Sequence, residues 1–255
     1  MRSIDLNADL GESYGVWRLG DDEALLDIVT SANVACGFHA GDPSTIRRTC
    51  ESAVERGVAI GAQVSYPDLL GFGRRHLAMS PIDLRDAVIQ QIGTLEAFAR
   101  VAGGAVTHLK PHGALYHTVI ADSDAAAAVV QATVEAAPSL TMLGAPGSAL
   151  LAAARAASLP VAEEAFADRA YLADGRLVGR DRPGAVLHDA DVIAARVVEM
   201  VVEGRVASVD GGTVEVRPES VCVHGDTADA VAIAGRIRDE LDRAGVEVRP
   251  FAPST

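Results

Sequence analysis

ANVACGFHAGDPSTIRRTCESAVERGVAIGA, residues 32–62, contains a whole strand–loop–helix–strand unit. Ala32–Cys36 is a short apolar strand, and Gly37–Asp42 is a glycine-rich polar loop. Asp42-Pro43 then opens a helix, because an aspartate caps the first free amides and proline suits the first helical turn. Helical period runs over Ser44–Arg56, and a second strand follows at Val58–Ala62. Elements in this order pack as parallel strands joined by a crossover helix.

The alternation continues on both sides. Further candidate strands are Ser3–Leu6, Val106–Leu109, Thr141–Gly144, Val161–Phe166 and Val221–His224. Helical patterns occupy Pro81–Val101, Ser123–Ala136, Ser148–Ala157, Asp191–Glu203 and Thr227–Ala244. Ser208–Val216 carries Asp-Gly-Gly between apolar alternations and reads as a hairpin before the last strand. Seven strands of this kind either close a TIM-like (β/α) barrel or lie in an open doubly wound sheet, and periodicity alone does not choose. With 255 residues and no internal repeat or linker, a single domain over 1–255 is expected.

Composition narrows the class. Hydrophobic residues are 49% and charged residues 22% of the chain, an ordinary globular balance. The net charge is −13 with no basic stripe, which argues against a nucleic-acid partner. The three cysteines, Cys36, Cys50 and Cys222, have no paired spacing, as in a reducing cytoplasm. Charge interrupts the N-terminal residues before any signal-type apolar run, and no apolar stretch is long enough to span a bilayer. A cytoplasmic enzyme, not a membrane protein, is the expectation.

Polar residues collect where the strands end. The first strand runs into Asp5, Asn7, Asp9 and Glu12; the second into His39 and Asp42; the third into Gln63, Ser65, Tyr66 and Asp68, followed by Gly71-Phe72-Gly73-Arg74-Arg75. The fourth ends in Lys110-Pro111-His112-Gly113, the sixth in Glu163, Glu164, Asp168 and Arg169, and the seventh in His224-Gly225-Asp226. Carboxyl ends of parallel strands converge on one face, so these groups gather round one crevice as acids, bases and anion clamps. Asp5, Asp9, His39, Lys110, His112 and His224 are the catalytic candidates. Asn7, Glu12, Arg75, Asp168, Arg169 and Asp226 are the substrate-binding candidates.

Plainer roles compete for several of these. Asp9 and Glu12 also suit a turn, and Asp42 and Asp226 suit helix caps. His108 and His117 read as packing or surface residues, and the cysteines as small core hydrophobes. Lys110 is the sharpest signal. It is the only lysine, and an ammonium at the end of an apolar strand has little structural reason to be there. The Arg74-Arg75 loop reads either as solvated or as a flap over an anionic group.

Several chemistries are excluded by motif. There is no P-loop, dinucleotide fingerprint, Gly-x-Ser-x-Gly elbow, Cys-x-x-Cys pair or His-Glu-x-x-His run. A scattered site among Asp5, Asp9, His39 and His112 is the one arrangement left for a divalent cation, and no metal ligand is assigned.

Six blocks together resemble the LamB/YcsF family: DLNADLGE at 5–12, ANVACGFHAGDP at 32–43, GFGRR at 71–75, LKPHGALY at 109–116, EAFADR at 164–169 and VCVHGDT at 221–227. They span nearly the whole chain in the expected order. The resemblance implies a seven-stranded barrel of the glycoside hydrolase/deacetylase type. It also implies the A subunit of a bacterial ATP-dependent 5-oxoprolinase, acting on 5-oxoproline with B and C subunits. The complex would use ATP, whose place on this chain is open, as is assembly into a homo-oligomer. Many members have His-Pro where this chain has Gln63-Val64, and Asn where it has His117. A different amidohydrolase or metal-dependent deacetylase on the same barrel, or a non-catalytic binding subunit, are the rival expectations.

Overall fold

The computed structural model of the chain describes residues 2–180, 182–226 and 229–252. It opens with β1 (Ser3–Leu10), α1 (Asp22–Leu26), β2 (Ser31–Ala35), α2 (Pro43–Arg56), β3 (Ala59–Val64) and α3 (Pro81–Val101). Next come β4 (Val106–Pro111), α4 (Gly113–Ala121), α5 (Ser123–Ala136), β5 (Thr141–Gly144), α6 (Ala149–Ala156) and β6 (Val161–Phe166). The chain then forms α7 (Ala190–Val198), a π-helical turn (Glu199–Glu203), β7 (Arg205–Ala207) and β8 (Thr213–Glu215). It ends with β9 (Ser220–Val223), α8 (Ala230–Arg243) and β10 (Glu247–Val248).

The ladder between β9 and β1 settles what periodicity leaves open. Strand order is β1-β2-β3-β4-β5-β6-β9, and β9 returns to β1 with Asp5 opposite Ser220 and Ala8 opposite Val223. Among the described residues, seven parallel strands thus close a barrel, and β10 adds beside the start of β1. The expected hairpin is present as antiparallel β7 and β8. The short helices α1 and α4, and β10, carry no clear period in the sequence. Thr227, which opens the expected last helix and closes the last family block, lies outside the described residues.

Each strand sorts its side chains by period 2. In β1, Ile4, Leu6, Ala8 and Leu10 face outward and join the core packed under the helices. Asp5, Asn7 and Asp9 turn into the barrel, which is filled by a polar network. Asp5 accepts from Thr30 Oγ1 at 2.7 Å, from Ser31 Oγ at 2.6 Å and from Ser220 Oγ. One layer higher, Asn7 Nδ2 donates to Ser220 Oγ at 2.6 Å, and Asn33 Nδ2 donates to Asn7 Oδ1 at 2.7 Å. His108 Nε2 closes that layer on Asn33 Oδ1 at 2.9 Å. Each of these groups would cost about 1–3 kcal/mol if buried without a partner, so the layers hold or fail together.

His108 reaches across the barrel because β3 has a glycine opposite it. A Cβ on Gly61 would lie 2.0 Å from His108 Nε2. Gly61→Ala is therefore expected to lower unfolding free energy by about 1–3 kcal/mol, as overpacking does. Chemical denaturation reads this, and an unchanged midpoint would show that His108 yields freely.

Candidate functional site

Lys110 forms the floor. Its Nζ lies 3.2 Å from Asp9 Oδ1, 3.1 Å from Glu164 Oε2, 3.3 Å from Asn7 Oδ1 and 3.1 Å from Cys222 Sγ. Burial opposes the charge, but the Asp9 and Glu164 carboxylates outweigh it and hold the ammonium well above its usual pKa. For Asp9, burial pushes upward, while the Lys110 ammonium pulls harder and keeps it ionised. The sequence reads Cys222 as a plain core hydrophobe. It is buried, and burial keeps it a thiol, yet its sulfur faces the lysine.

One wall is a histidine stack. His39 and His112 lie ring on ring at 4.3 Å, and Phe72 meets both edge-on at 5.9 and 5.3 Å. Gln63 joins the stack to the acid behind it: its Nε2 donates to Glu12 Oε1 at 3.0 Å, and its Oε1 accepts from His39 Nε2 at 3.1 Å. Burial pushes His39 down to about 4 and, together with His39, holds His112 well below the usual imidazole range. Both rings are neutral at pH 7. Burial, with Asp9 and Asp226, raises the Glu12 carboxyl.

The Gly71–Arg75 loop is folded as a flap. Gly73 has φ +66, its Cβ position would fall 2.3 Å from Ser65 Oγ, and its carbonyl accepts Ala114 N at 2.8 Å. The arginine over the site is Arg74, not Arg75. Arg74 lies over the Phe72 ring at 5.0 Å and pairs with Asp226, whereas Arg75 turns outward to Asp68.

The opposite wall carries an acid–base pair. His224 Nδ1 donates to Asp168 at 2.8 and 3.0 Å, and its ring stacks on Phe166 at 5.5 Å. Arg196 ties the following loop down through the carbonyls of Ala167 at 2.8 Å and Arg169 at 2.7 Å. That loop holds Arg169, buried and bonded to the carbonyls of Val178 and Ala185, and brings Arg180 to the mouth.

These walls enclose a cavity of about 580 Å³ lined by Asp9, Arg74, Lys110, His112, Arg169, Arg180 and His224, with Tyr116, His117 and Phe166. Other candidates sit elsewhere. Asp5 lies below the floor among serines; Asn7 supports Lys110 from beneath; His39 and Glu12 stand behind His112. Asp42 caps α2, as its Asp-Pro signature suggests. Glu163 faces outward to Arg155. His117, expected at the surface or in packing, faces the cavity, because α4 starts immediately beyond His112.

Among the described residues, two triplets bring ligand atoms within 4.8 Å of one another: Glu12 with His39 and His112, and Asp9 with Cys222 and His224. Their donor chemistry suits a divalent transition metal. Asp5 belongs to neither.

The LamB/YcsF family profile matches residues 4–255. The chain belongs to the LamB/YcsF family. Its similarity to a Nocardia farcinica protein, named as the A subunit of 5-oxoprolinase, is 57% identity, covering 97% of this chain and 99% of that one. A Mycobacterium leprae protein of the same name is 54% identical, over 98% of this chain and 100% of the other. Among solved structures, a lactam utilization protein from Thermus thermophilus superposes with TM-score 0.93 at 44% identity, covering 98% of this chain and 100% of that one. A family 4 carbohydrate esterase from Streptomyces lividans, 14% identical over 99% of this chain and 94% of that one, matches with TM-score 0.52 and shares the fold. No described helix of this LamB/YcsF protein is long and apolar enough to cross a membrane.

Burial raises Asp5 from 3.8 to about 6. Its contribution to stability is therefore full below about pH 4 and is lost as pH rises through 6. Asp5→Asn is expected to gain on the wild type in denaturant unfolding between pH 4 and pH 7; a constant difference would show that Asp5 does not titrate there. At the mouth, Arg74→Ala is expected to weaken inorganic phosphate binding about tenfold by calorimetry, with Arg75→Ala unchanged. Equal losses would show that Arg75 also serves the cavity.

Proposed function

We propose that this chain is the A subunit of an ATP-dependent 5-oxoprolinase, which opens 5-oxoproline to glutamate in the cytoplasm together with B and C subunits. The observation that carries the reading is the Asp168–His224 pair facing a Lys110 floor inside an arginine-rimmed cavity. The names borne by close relatives support the substrate.

The lactam is an amide, and amides resist water because nitrogen donates into the carbonyl. Transfer of the γ-phosphoryl group to the lactam oxygen removes that resistance and releases ADP. Water then adds to the activated carbon, the ring C–N bond breaks and nitrogen takes a proton. The acyl phosphate that remains is hydrolysed to glutamate and phosphate. Lys110 and Arg169, with Arg74 and Arg180, hold the substrate carboxylate and the phosphoryl oxygens. Neutral His112, backed by His39 and Glu12, accepts the proton of the attacking water. His224 gives its Nε2 proton to the departing nitrogen, and Asp168 fixes the ring and stabilises its cation.

Glutamate release from 5-oxoproline and ATP tests the reading, comparing this chain alone with the chain reconstituted with B and C subunits. Activity is expected only in the mixture. There, His39→Ala and His224→Ala are expected to lower kcat at least about 100-fold with folding unchanged. Lys110→Ala, which leaves Asp9 and Glu164 buried without their counter-charge, is expected to lower both kcat and stability. Wild-type rates in a variant would remove that residue from the chemistry, and an inactive but assembled wild-type complex would point to another substrate. The Glu12–His39–His112 triplet favours a second reading, a metal-dependent amidohydrolase. One bound metal ion per chain, with turnover abolished by chelation and independent of ATP, would establish it instead.

A further inference from the structure

Beside the arginine-lined cavity lies a second one of about 490 Å³, beneath the β7–β8 hairpin, and the chemistry above makes no use of it. The two share Tyr116, His117, Phe166 and Leu177 as a common wall. Their linings differ. The first is rich in lysine, arginine and histidine, whereas Ile120, Ala145, Pro146, Val214 and Val216 make much of the second apolar, with Arg176 and Arg217 offset there by Asp174 and Glu215. A cavity of this volume suits a drug-sized molecule. It is far larger than a five-membered lactam needs.

We propose that the second cavity receives the base and ribose of the nucleoside triphosphate, whose phosphates pass Phe166 onto the arginines of the first. The assignment rests on the ATP-dependent reading. Two polar groups lining the second cavity point to a ligand. Glu164 is buried, and its carboxylate meets Lys110 and faces the Tyr116 hydroxyl, with no well-formed hydrogen bond to either oxygen. The Tyr116 hydroxyl is buried beside that carboxylate and likewise lacks a well-formed hydrogen bond, so the pair is only loosely closed on itself. Buried polar atoms of this kind are rare unless something else completes them. The exocyclic amine of adenine donates to the Glu164 carboxylate, the Tyr116 hydroxyl donates to a ring nitrogen, and the flat apolar faces of the base match the aliphatic walls. A lactam has no comparable face and carries its carboxylate, which belongs with the arginines. Glu164 also touches Lys110, so occupation of the second cavity reaches the floor of the first through one ion pair.

Tryptophan at the rim tests the assignment without disturbing the barrel. Ala121, at the end of α4, is exposed, and Ala145 is half-buried; both line only the second cavity among the two. In the reconstituted complex, Ala121→Trp and Ala145→Trp are expected to raise the KM for ATP at least tenfold and to leave the KM for 5-oxoproline within twofold. A rise confined to 5-oxoproline, or no change in either constant, would overturn the proposal. Calorimetric titration of the wild-type chain with adenosine separates this from the reaction itself. Saturable adenosine binding that Ala121→Trp abolishes supports the cavity assignment even where the wild-type complex releases no glutamate. Absence of adenosine and ADP binding by both chain and complex overturns it.

Discussion

An ammonium group with 2% of its side chain exposed must be matched by charge and by hydrogen bonds, or it would not remain charged. Lys110 is matched from three strands at once: Asp9 and Asn7 on β1, Glu164 on β6 and the Cys222 sulfur on β9. Neither β1 nor β6 neighbours β4 in the sheet, so the contact ties the barrel across its interior. The layers beneath, down to Asp5, support these same carboxylate and amide oxygens. The site above is one pleat further along the strands: Lys110 leads to His112, Glu164 to Phe166 and Cys222 to His224. The chemistry is thus positioned by the same period that fills the core.

That period explains what can be read in advance. All seven barrel strands are legible as short apolar runs between helical patterns, and the inward turn of Asp5 and Asn7 follows from period 2 once helices cover the outer face. Height along the barrel is not legible. Alternation tells which face a residue occupies, while depth follows from strand stagger, a pairing property that no single strand contains. Asp5 therefore reads as a mouth residue and lies at the bottom, whereas His117, beyond the strand, faces the cavity. Loop residues are hardest. Arg74 and Arg75 are adjacent and chemically alike, and a positive φ at Phe72 together with Gly73 decides which one covers the site. Glu164 is visible in the sequence only as one of two consecutive glutamates. Their opposite fates, at the Lys110 floor and on the outer surface with Arg155, follow from strand geometry.

Charge in this molecule is arranged against its own average. The chain carries −13, yet the cavity gathers Lys110, Arg74, Arg169 and Arg180, while His112 and the His39 ring stacked behind it are held neutral by burial. The split follows from side-chain chemistry. A guanidinium stays charged even where burial lowers it to about 10, as at Arg169, whereas an imidazole in the same surroundings gives up its proton. Under the proposed reading, fixed cations at the rim and a neutral imidazole within are what an anionic substrate and an attacking water require side by side. Had the rim been built from histidine, the burial that keeps His112 neutral would have discharged the rim as well. With arginine there, one buried environment serves both tasks, and the acidic surface elsewhere leaves the mouth as the place where an anion is drawn in.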